Sequence, residues 1–270
     1  MGKFFDLESP LMRALSRMAD LIWLNILMLF SVAPALILFY FTFTGGLPIP
    51  VVIFVTWAAA LIVGPAMTGM HYVLLKMTRD EESYITKSFF KSFRENFRQS
   101  VILMAIVFIV TALLAMDYYL LTTDMMSSFP MALRIPIFVV SLYLFLVSLW
   151  IFPLEARFVN RVTGTIRNAF FVSILAFPRT LAMAAVTLLP LLLFYFFNVR
   201  LTPFFIMFGI SVPAWVCALL YNKVFKRLEP EAAEVTPDDQ FTVDTGETEL
   251  SQMSEVPELP EGGDKADEED

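Results

Sequence analysis

The chain has 270 residues, of which 58% are hydrophobic and 15% aromatic, and its mean hydropathy is +0.70. This composition excludes an ordinary soluble domain, whose apolar content is about 45–50%. The net charge of −7 combines two regions of opposite sign, because residues 1–228 hold 18 bases and 10 acids whereas residues 229–270 hold sixteen acids and one lysine. The bases flank apolar segments and form no soluble face with stacking aromatics, which argues against nucleic-acid binding.

Six apolar segments are each long enough, at about 1.5 Å per residue, to cross about 30 Å of hydrocarbon. Lipid offers no partner to a backbone N–H or C=O group, so each segment is predicted to be a helix. The predicted fold is all-α: a polytopic membrane domain of six transmembrane helices over residues 1–228, with amphipathic interfacial helices, and a disordered acidic tail over residues 229–270. The predicted spans cover about 21–43, 50–75, 101–123, 135–154, 180–198 and 201–223.

The first predicted element is an amphipathic segment before the first span. Leu11, Leu15, Met18 and Ile22 form an apolar stripe, and Arg13 is one of the charged residues opposite it. We expect this segment to lie on the membrane surface and then to turn into the first span.

The second predicted amphipathic helix joins the second and third spans. At 100° per residue, one arc carries Ile85, Phe89, Phe90, Phe93 and Phe97, and another carries Lys87, Lys91, Arg94 and Arg98. This pattern is typical of a helix in the headgroup plane, with its rings among acyl chains and its cations on anionic lipid headgroups. Two interpretations remain open: a helix that only positions the two spans, and a docking face for a protein partner.

Loop charges predict the orientation of the spans. One set of loops, which includes both termini, holds sixteen Lys and Arg residues, and the opposite set holds only Arg134 and Arg200. Lys and Arg near span ends tend to remain in the cytoplasm. We therefore predict a multi-pass protein of the cell membrane with cytoplasmic N and C termini.

A few polar and helix-breaking residues lie within or beside the predicted spans. Asn25 can bond a neighbouring helix, and His71 lies near the cytoplasmic end of the second span. Glu155 needs a partner from another helix, for which Lys76 or Arg79 is a candidate, while Arg157 can reach the interface by snorkelling. The strongest candidate for a kink or hinge is Gly64 with Pro65.

The sequence contains no recognisable catalytic motif. With one His and one Cys, Cys217, it offers neither a His/Cys metal set nor a disulfide framework. We therefore expect no catalytic, cofactor-binding or metal-binding site, and no enzyme.

Two similar stretches suggest an internal repeat. A shift of 81 residues places ITKSFFKSFRENFRQS on IRNAFFVSILAFPRTL. The second and third spans would then correspond to the fourth and fifth, although coincidence in apolar sequence is a competing explanation.

Several segments resemble the YesL family of bacterial membrane proteins, which is defined by a domain of unknown function. They are SPLMRALSRMADLIWLNILMLF, GPAMTGMHYVLLKMTRDEESYITKSFFKSFRENFRQS, FPLEARF and RNAFFVSILAFPRTL. Members are typical of Gram-positive bacteria, and their genes often neighbour those for sugar uptake and glycan breakdown. The resemblance implies a role in carbohydrate utilisation and supplies no catalytic or binding residues.

The sequence favours two functions over a third, an intramembrane enzyme, for which no site is visible. The favoured one is a non-catalytic accessory component that binds another membrane protein, for example a sugar uptake transporter. The alternative is a small transporter or channel for a sugar-related molecule, with proline-kinked helices.

Overall fold

The computed structural model describes residues 10–81, 84–122, 134–197, 200 and 202–229, which form ten α-helices and no β-strand. The predicted all-α fold is confirmed. The helices are α1 (Pro10–Thr44), α2 (Ile49–Ala60), α3 (Val63–Thr78), α4 (Ile85–Glu95), α5 (Phe97–Thr122), α6 (Arg134–Arg157), α7 (Val162–Leu175), α8 (Phe177–Phe197), α9 (Thr202–Phe208) and α10 (Ser211–Leu228). The predicted acidic tail lies, apart from Glu229, outside the described residues.

The long helices are those of a multi-pass membrane protein. Among the described residues, five helical segments are long and apolar enough to cross a membrane, with α2 and α3 counted as one. A sixth exists if α9 and α10, which are bent by 43° at a short break, form one span.

Helix α1 is continuous over 35 residues, or about 52 Å at 1.5 Å per residue. The expectation that residues 10–20 form a separate surface helix, which turns before the first span, is therefore wrong. The amphipathic stripe continues into the apolar span without a turn, because no Gly or Pro interrupts the helix before Pro34.

The second predicted span contains a break between α2 and α3, at Leu61 and Ile62. Proline at position 65 has no N–H and cannot bond the carbonyl of Leu61. That carbonyl accepts instead from the N–H of Gly64 at 3.2 Å. The break expected at Gly64 and Pro65 thus lies about one turn earlier. It is at Leu61, whose carbonyl would have accepted the hydrogen bond that Pro65 cannot donate.

Helix α3 occupies the centre of the bundle. It packs against α1, α4, α5 and α6, and its buried face includes ten residues between Gly64 and Leu75. The largest buried side chains around it come from α4, α6 and α10: Phe89, Trp150, Tyr221 and Phe225. Close approach to α5 requires Gly64, since a Cβ there would lie 2.5 Å from the carbonyl oxygen of Ser100.

The core lies toward one end of the bundle. Its residues cluster in 21–28 of α1, 64–75 of α3, 146–156 of α6 and 217–225 of α10. The opposite halves of the long helices expose large apolar and aromatic side chains, among them Phe41, Phe54, Phe138 and Phe196. Such a surface suits contact with lipid acyl chains.

Helices α4 and α7 occupy similar places in the chain. Each is followed by a one-residue break, Asn96 or Ala176, and then by a long helix. At a shift of 80 residues, three pairs of buried positions coincide: Phe89 with Ala169, Ser92 with Val172, and Ser100 with Thr180. The predicted shift of 81 pairs the buried Ser88 with Ala169 and Ser92 with Ser173, and the buried Phe89 with the exposed Phe170, so the burial pattern is compatible with both registers.

Candidate functional site

Part of the apolar face of α4 is buried against the rest of the protein, and part of it is exposed. Phe89 is fully buried against Gly69 of α3, where an added Cβ would lie 3.0 Å from the carbonyl oxygen of Phe89. Phe90 and Phe97 are each 43% exposed, and Phe93 is half-buried. The expectation that all four rings lie among acyl chains is therefore wrong for Phe89, because α3 offers a glycine where a larger side chain would hold α4 away.

Phe89→Leu and Phe90→Leu are expected to differ in stability, although they make the same chemical change on adjacent residues. A buried phenylalanine loses ring contacts that its neighbours cannot replace, so Phe89→Leu should lower the free energy of unfolding by about 1.5 kcal/mol. Phe90→Leu should change it by less than about 0.5 kcal/mol. Thermal unfolding in detergent would measure both, and equal losses would contradict the buried position of Phe89.

All four basic residues of the predicted cationic arc are exposed: Lys87, Lys91, Arg94 and Arg98. The first three line an open groove of about 980 Å³ between α1 and α4, together with Asp20, Trp23, Phe90 and Glu95. This surface is named the α1–α4 groove.

Two side-chain contacts hold α1 beside the start of α4. Trp23 Nε1 donates to Thr86 Oγ1 at 2.8 Å. Arg17 forms an ion pair with Asp80 in the turn after α3. Asp80 has a φ of 55°, and the N–H of Glu81 bonds the carbonyl of Lys76 at 3.1 Å, which is how a helix ends at a left-handed residue.

A second polar cluster lies inside the bundle and joins three helices. The Glu155 carboxylate on α6 accepts from Ser100 Oγ of α5 at 2.9 Å and from Thr68 Oγ1 of α3 at 3.2 Å. The two hydroxyls lie 2.8 Å apart, and all three residues are buried.

The expected partners of Glu155 are wrong. Lys76 lies over the ring of Tyr72, at 5.2 Å from its centroid, and Arg79 Nε donates to Asn222 Oδ1 at 3.0 Å. Lys76 lies in the last turn of α3 and Arg79 directly follows that helix, whereas Glu155 bonds two hydroxyls inside the bundle. Arg157, two residues further on, is exposed in the last turn of α6.

Replacement of Glu155 tests how much this cluster contributes to stability. Glu155→Gln keeps an oxygen acceptor of the same size and should stay within about 1 kcal/mol of the natural protein. Glu155→Ala removes both acceptors and leaves a void, and should cost about 2 kcal/mol. Chemical or thermal unfolding in detergent would measure the two values, and an Ala variant as stable as the Gln variant would show that the bonds contribute nothing.

His71 lies within the same buried region, toward α10. Its Nδ1 is 3.1 Å from the hydroxyl of Tyr221, a hydrogen-bond distance, and the two rings meet edge to face. Both side chains are buried. The pair therefore joins α3 to α10.

Asn25 on α1 lies at the break between α9 and α10. Its Nδ2 donates to the carbonyl of Ile206 at 2.7 Å and to that of Phe205 at 3.3 Å. Its Oδ1 accepts from the N–H groups of Ile210 and Ser211, both at 2.9 Å. One amide thus bonds four backbone groups at the bend. Of these, the carbonyl of Phe205 also accepts from the N–H of Gly209 at 2.9 Å.

The described residues contain no group of three or more His, Cys, Asp or Glu side chains that could hold a metal ion. Sequence reasoning located Asn25, His71 and Glu155, but it did not identify Ser100 or Tyr221 as their partners. The only available signal was a hydroxyl inside an apolar helix, which many membrane helices share.

The fold and these clusters define a polytopic, all-α membrane protein. The family model described as "Protein of unknown function, DUF624" matches residues 21–118. This segment extends from the apolar part of α1 into α5, and it contains Asn25, Gly64 and most of the α1–α4 groove. No curated protein and no solved structure matches the chain. Over residues 21–118, the chain is therefore similar to a family whose function is unknown.

Proposed function

We propose that this protein is a non-catalytic accessory component of the cell membrane, which binds another membrane protein that takes up carbohydrate. The observation that carries the proposal is the bonding of Asn25 at the α9–α10 break. In many transporters, the backbone groups at a broken helix bind the substrate or its coupling ion. Here a side chain of the protein already bonds four such groups.

The other buried polar groups support the same proposal. Glu155 bonds Ser100 and Thr68, and His71 bonds Tyr221. A substrate would have to displace these bonds and to compensate for the loss of each. They are better explained as contacts that hold α3, α5, α6 and α10 together.

A cavity between α5 and α6 is also a poor sugar site. Its volume is about 570 Å³, and its lining is mainly aliphatic. The hydroxyls of Thr111, Ser141 and Ser148 in its wall each donate to a carbonyl of their own helix. A sugar needs polar groups that converge on its hydroxyls.

The carbohydrate setting rests on the resemblance to the YesL family, whose genes often neighbour sugar uptake systems. The orientation rests on the loop charges, which favour cytoplasmic termini. The accessory role requires no catalytic residue and no cofactor.

The test is isolation of the full-length chain in mild detergent from cells grown on the relevant sugar. The expected result is near-equimolar recovery of a sugar uptake membrane protein, together with reduced sugar uptake in cells that lack the chain. Recovery of no partner, with unchanged uptake, would overturn the proposal. Co-purification of unrelated abundant proteins would equally count against it.

The 43° bend between α9 and α10 favours the transporter as the second candidate. The purified chain alone, reconstituted into vesicles, would then move a sugar across the bilayer. Glu155→Gln is the matched variant, because it keeps the cluster's shape and removes its ionisable carboxyl group. An accessory component should keep its partner in this variant, whereas a transporter coupled through Glu155 should lose flux.

A further inference from the structure

We propose that the α1–α4 groove binds the headgroup of a single anionic phospholipid whose phosphate lies on Lys87, Lys91 and Arg94. This inference goes beyond the accessory role and does not depend on it. The class of ligand is a glycerophospholipid with a net charge of −1 and a hydroxyl-bearing headgroup, such as phosphatidylglycerol.

The groove lies where the long apolar stretch of α1 begins, the level expected for the boundary between membrane and water. The last charged residue of α1 is Asp20, and an apolar stretch long enough to span follows it from Leu21 to Phe43. Trp23, the third residue of that stretch, is 47% exposed, and tryptophan is enriched where hydrocarbon meets headgroups. Its bond to Thr86 fixes the beginning of α4 at this level.

The basic residues of the groove are arranged for one phosphate. Lys87, Lys91 and Arg94 lie at positions i, i+4 and i+7 of α4, which places them on one side of the helix. All three are exposed. Cations at such a surface attract anionic lipid, and Arg and Lys bonds to phosphate are strong because both partners are charged.

The apolar lining distinguishes a lipid from free phosphate. Phe90, which is 43% exposed and directly precedes Lys91 in α4, lines the groove together with Trp23 and Ile85. These side chains can cover the glycerol backbone and the first methylenes of the acyl chains. Inorganic phosphate would leave them without a partner. The volume of about 980 Å³ also exceeds what a phosphate ion needs.

The acidic residues indicate which lipid fits. Asp20 and Glu95 face the same groove, so its three cations and two carboxylates leave a net charge of +1. A headgroup of net charge −1 balances this charge. Hydroxyls beyond the phosphate can donate to a carboxylate, which favours phosphatidylglycerol over phosphatidic acid.

The test measures lipid retention by the full-length protein. The chain is purified in detergent, mixed with micelles that contain phosphatidylglycerol, phosphatidylethanolamine or phosphatidylcholine, and examined by native mass spectrometry. We expect one phosphatidylglycerol per chain, retained at least fivefold better than either neutral lipid. The double variant Lys87→Gln/Lys91→Gln should reduce this retention roughly thirtyfold, at the usual contribution of a basic side chain near anionic lipid.

The matched control is Arg98→Gln, because Arg98 belongs to the same cationic arc and is exposed but does not line the groove. It should reduce retention less than twofold. Equal losses from Arg98→Gln and the double variant would overturn the site and leave only diffuse attraction to a charged surface. Equal retention of the three lipids, or full displacement by inorganic phosphate, would overturn the choice of ligand.

Loss of folding would not imitate the expected result. The substituted lysines are exposed, so the double variant should unfold at the same temperature as the natural protein.

Asp20→Asn gives a second measurement on the opposite wall. It should reduce the preference for phosphatidylglycerol over phosphatidic acid, and an unchanged preference would contradict the role of the carboxylate.

Discussion

Gly64→Ala is expected to lower the free energy of unfolding by about 3 kcal/mol or more, although it adds a single methyl group. The new Cβ would lie 2.5 Å from the carbonyl oxygen of Ser100 and 2.9 Å from Cβ of Met104. Neither contact is with the end of a flexible side chain, so α3 and α5 must separate. That movement would also stretch the bonds that join Thr68, Ser100 and Glu155.

Gly164→Ala is the matched control, because Gly164 also lies in a helix and its nearest neighbour would be Asn160 Cβ at 3.7 Å, an ordinary contact. Alanine has the higher helix propensity, so this variant should be neutral or more stable by up to about 1 kcal/mol. Unfolding of both variants in the same detergent would give the comparison. Similar stabilities would show that α3 and α5 do not approach this closely.

Asn25→Leu should cost about 4 kcal/mol or more and is expected to be the most damaging polar-to-apolar change in the described chain. Leucine has a similar volume but cannot bond the two carbonyls and two N–H groups at the α9–α10 break. Each buried group left without a partner costs about 1–3 kcal/mol. Water cannot readily replace the amide, because Asn25 is fully buried.

Asn168→Leu, at a half-buried position of α7, makes the same chemical change away from a helix break. It should change stability by less than about 1 kcal/mol. Asn25→Asp would separate the two roles of the amide, since it keeps the acceptor and loses the donor. Thermal unfolding would report the stability of each variant. The accessibility of a cysteine introduced near residue 209 would report opening of the bend. An Asn25→Leu variant that resists unfolding like the natural protein would contradict the assignment.

Hydropathy predicted the long helices because it detects the stretches that face lipid. Several predicted spans were shorter than the helices, because the helical hydrogen bonding continues past the apolar stretch. Helix α1 begins at Pro10, outside the span predicted from residue 21, and α6 continues past residue 154 to include Glu155 and Arg157. The charges at these ends reach water or a neighbouring helix, and neither arrangement can be read from mean hydropathy.

The contacts of the candidate site were harder to predict. Ser100 and Glu155 lie 55 residues apart in sequence, and their meeting depends on how closely Gly64 lets α5 approach. Helical periodicity grouped Phe89 with Phe90 because their directions differ by only about 100°. Which of the two rings is buried is decided by Gly69 on another helix.

The confinement of the core to one end has a consequence for how the protein would fit bilayers of different thickness. The loosely packed halves of α1, α2, α6 and α8 can splay or tilt without disturbing Trp150, Tyr221 or Phe225. A thinner or thicker hydrocarbon layer would therefore be accommodated at that end, at a modest cost per ångström of mismatch. The end that carries the α1–α4 groove would keep its shape while the opposite rim adjusts.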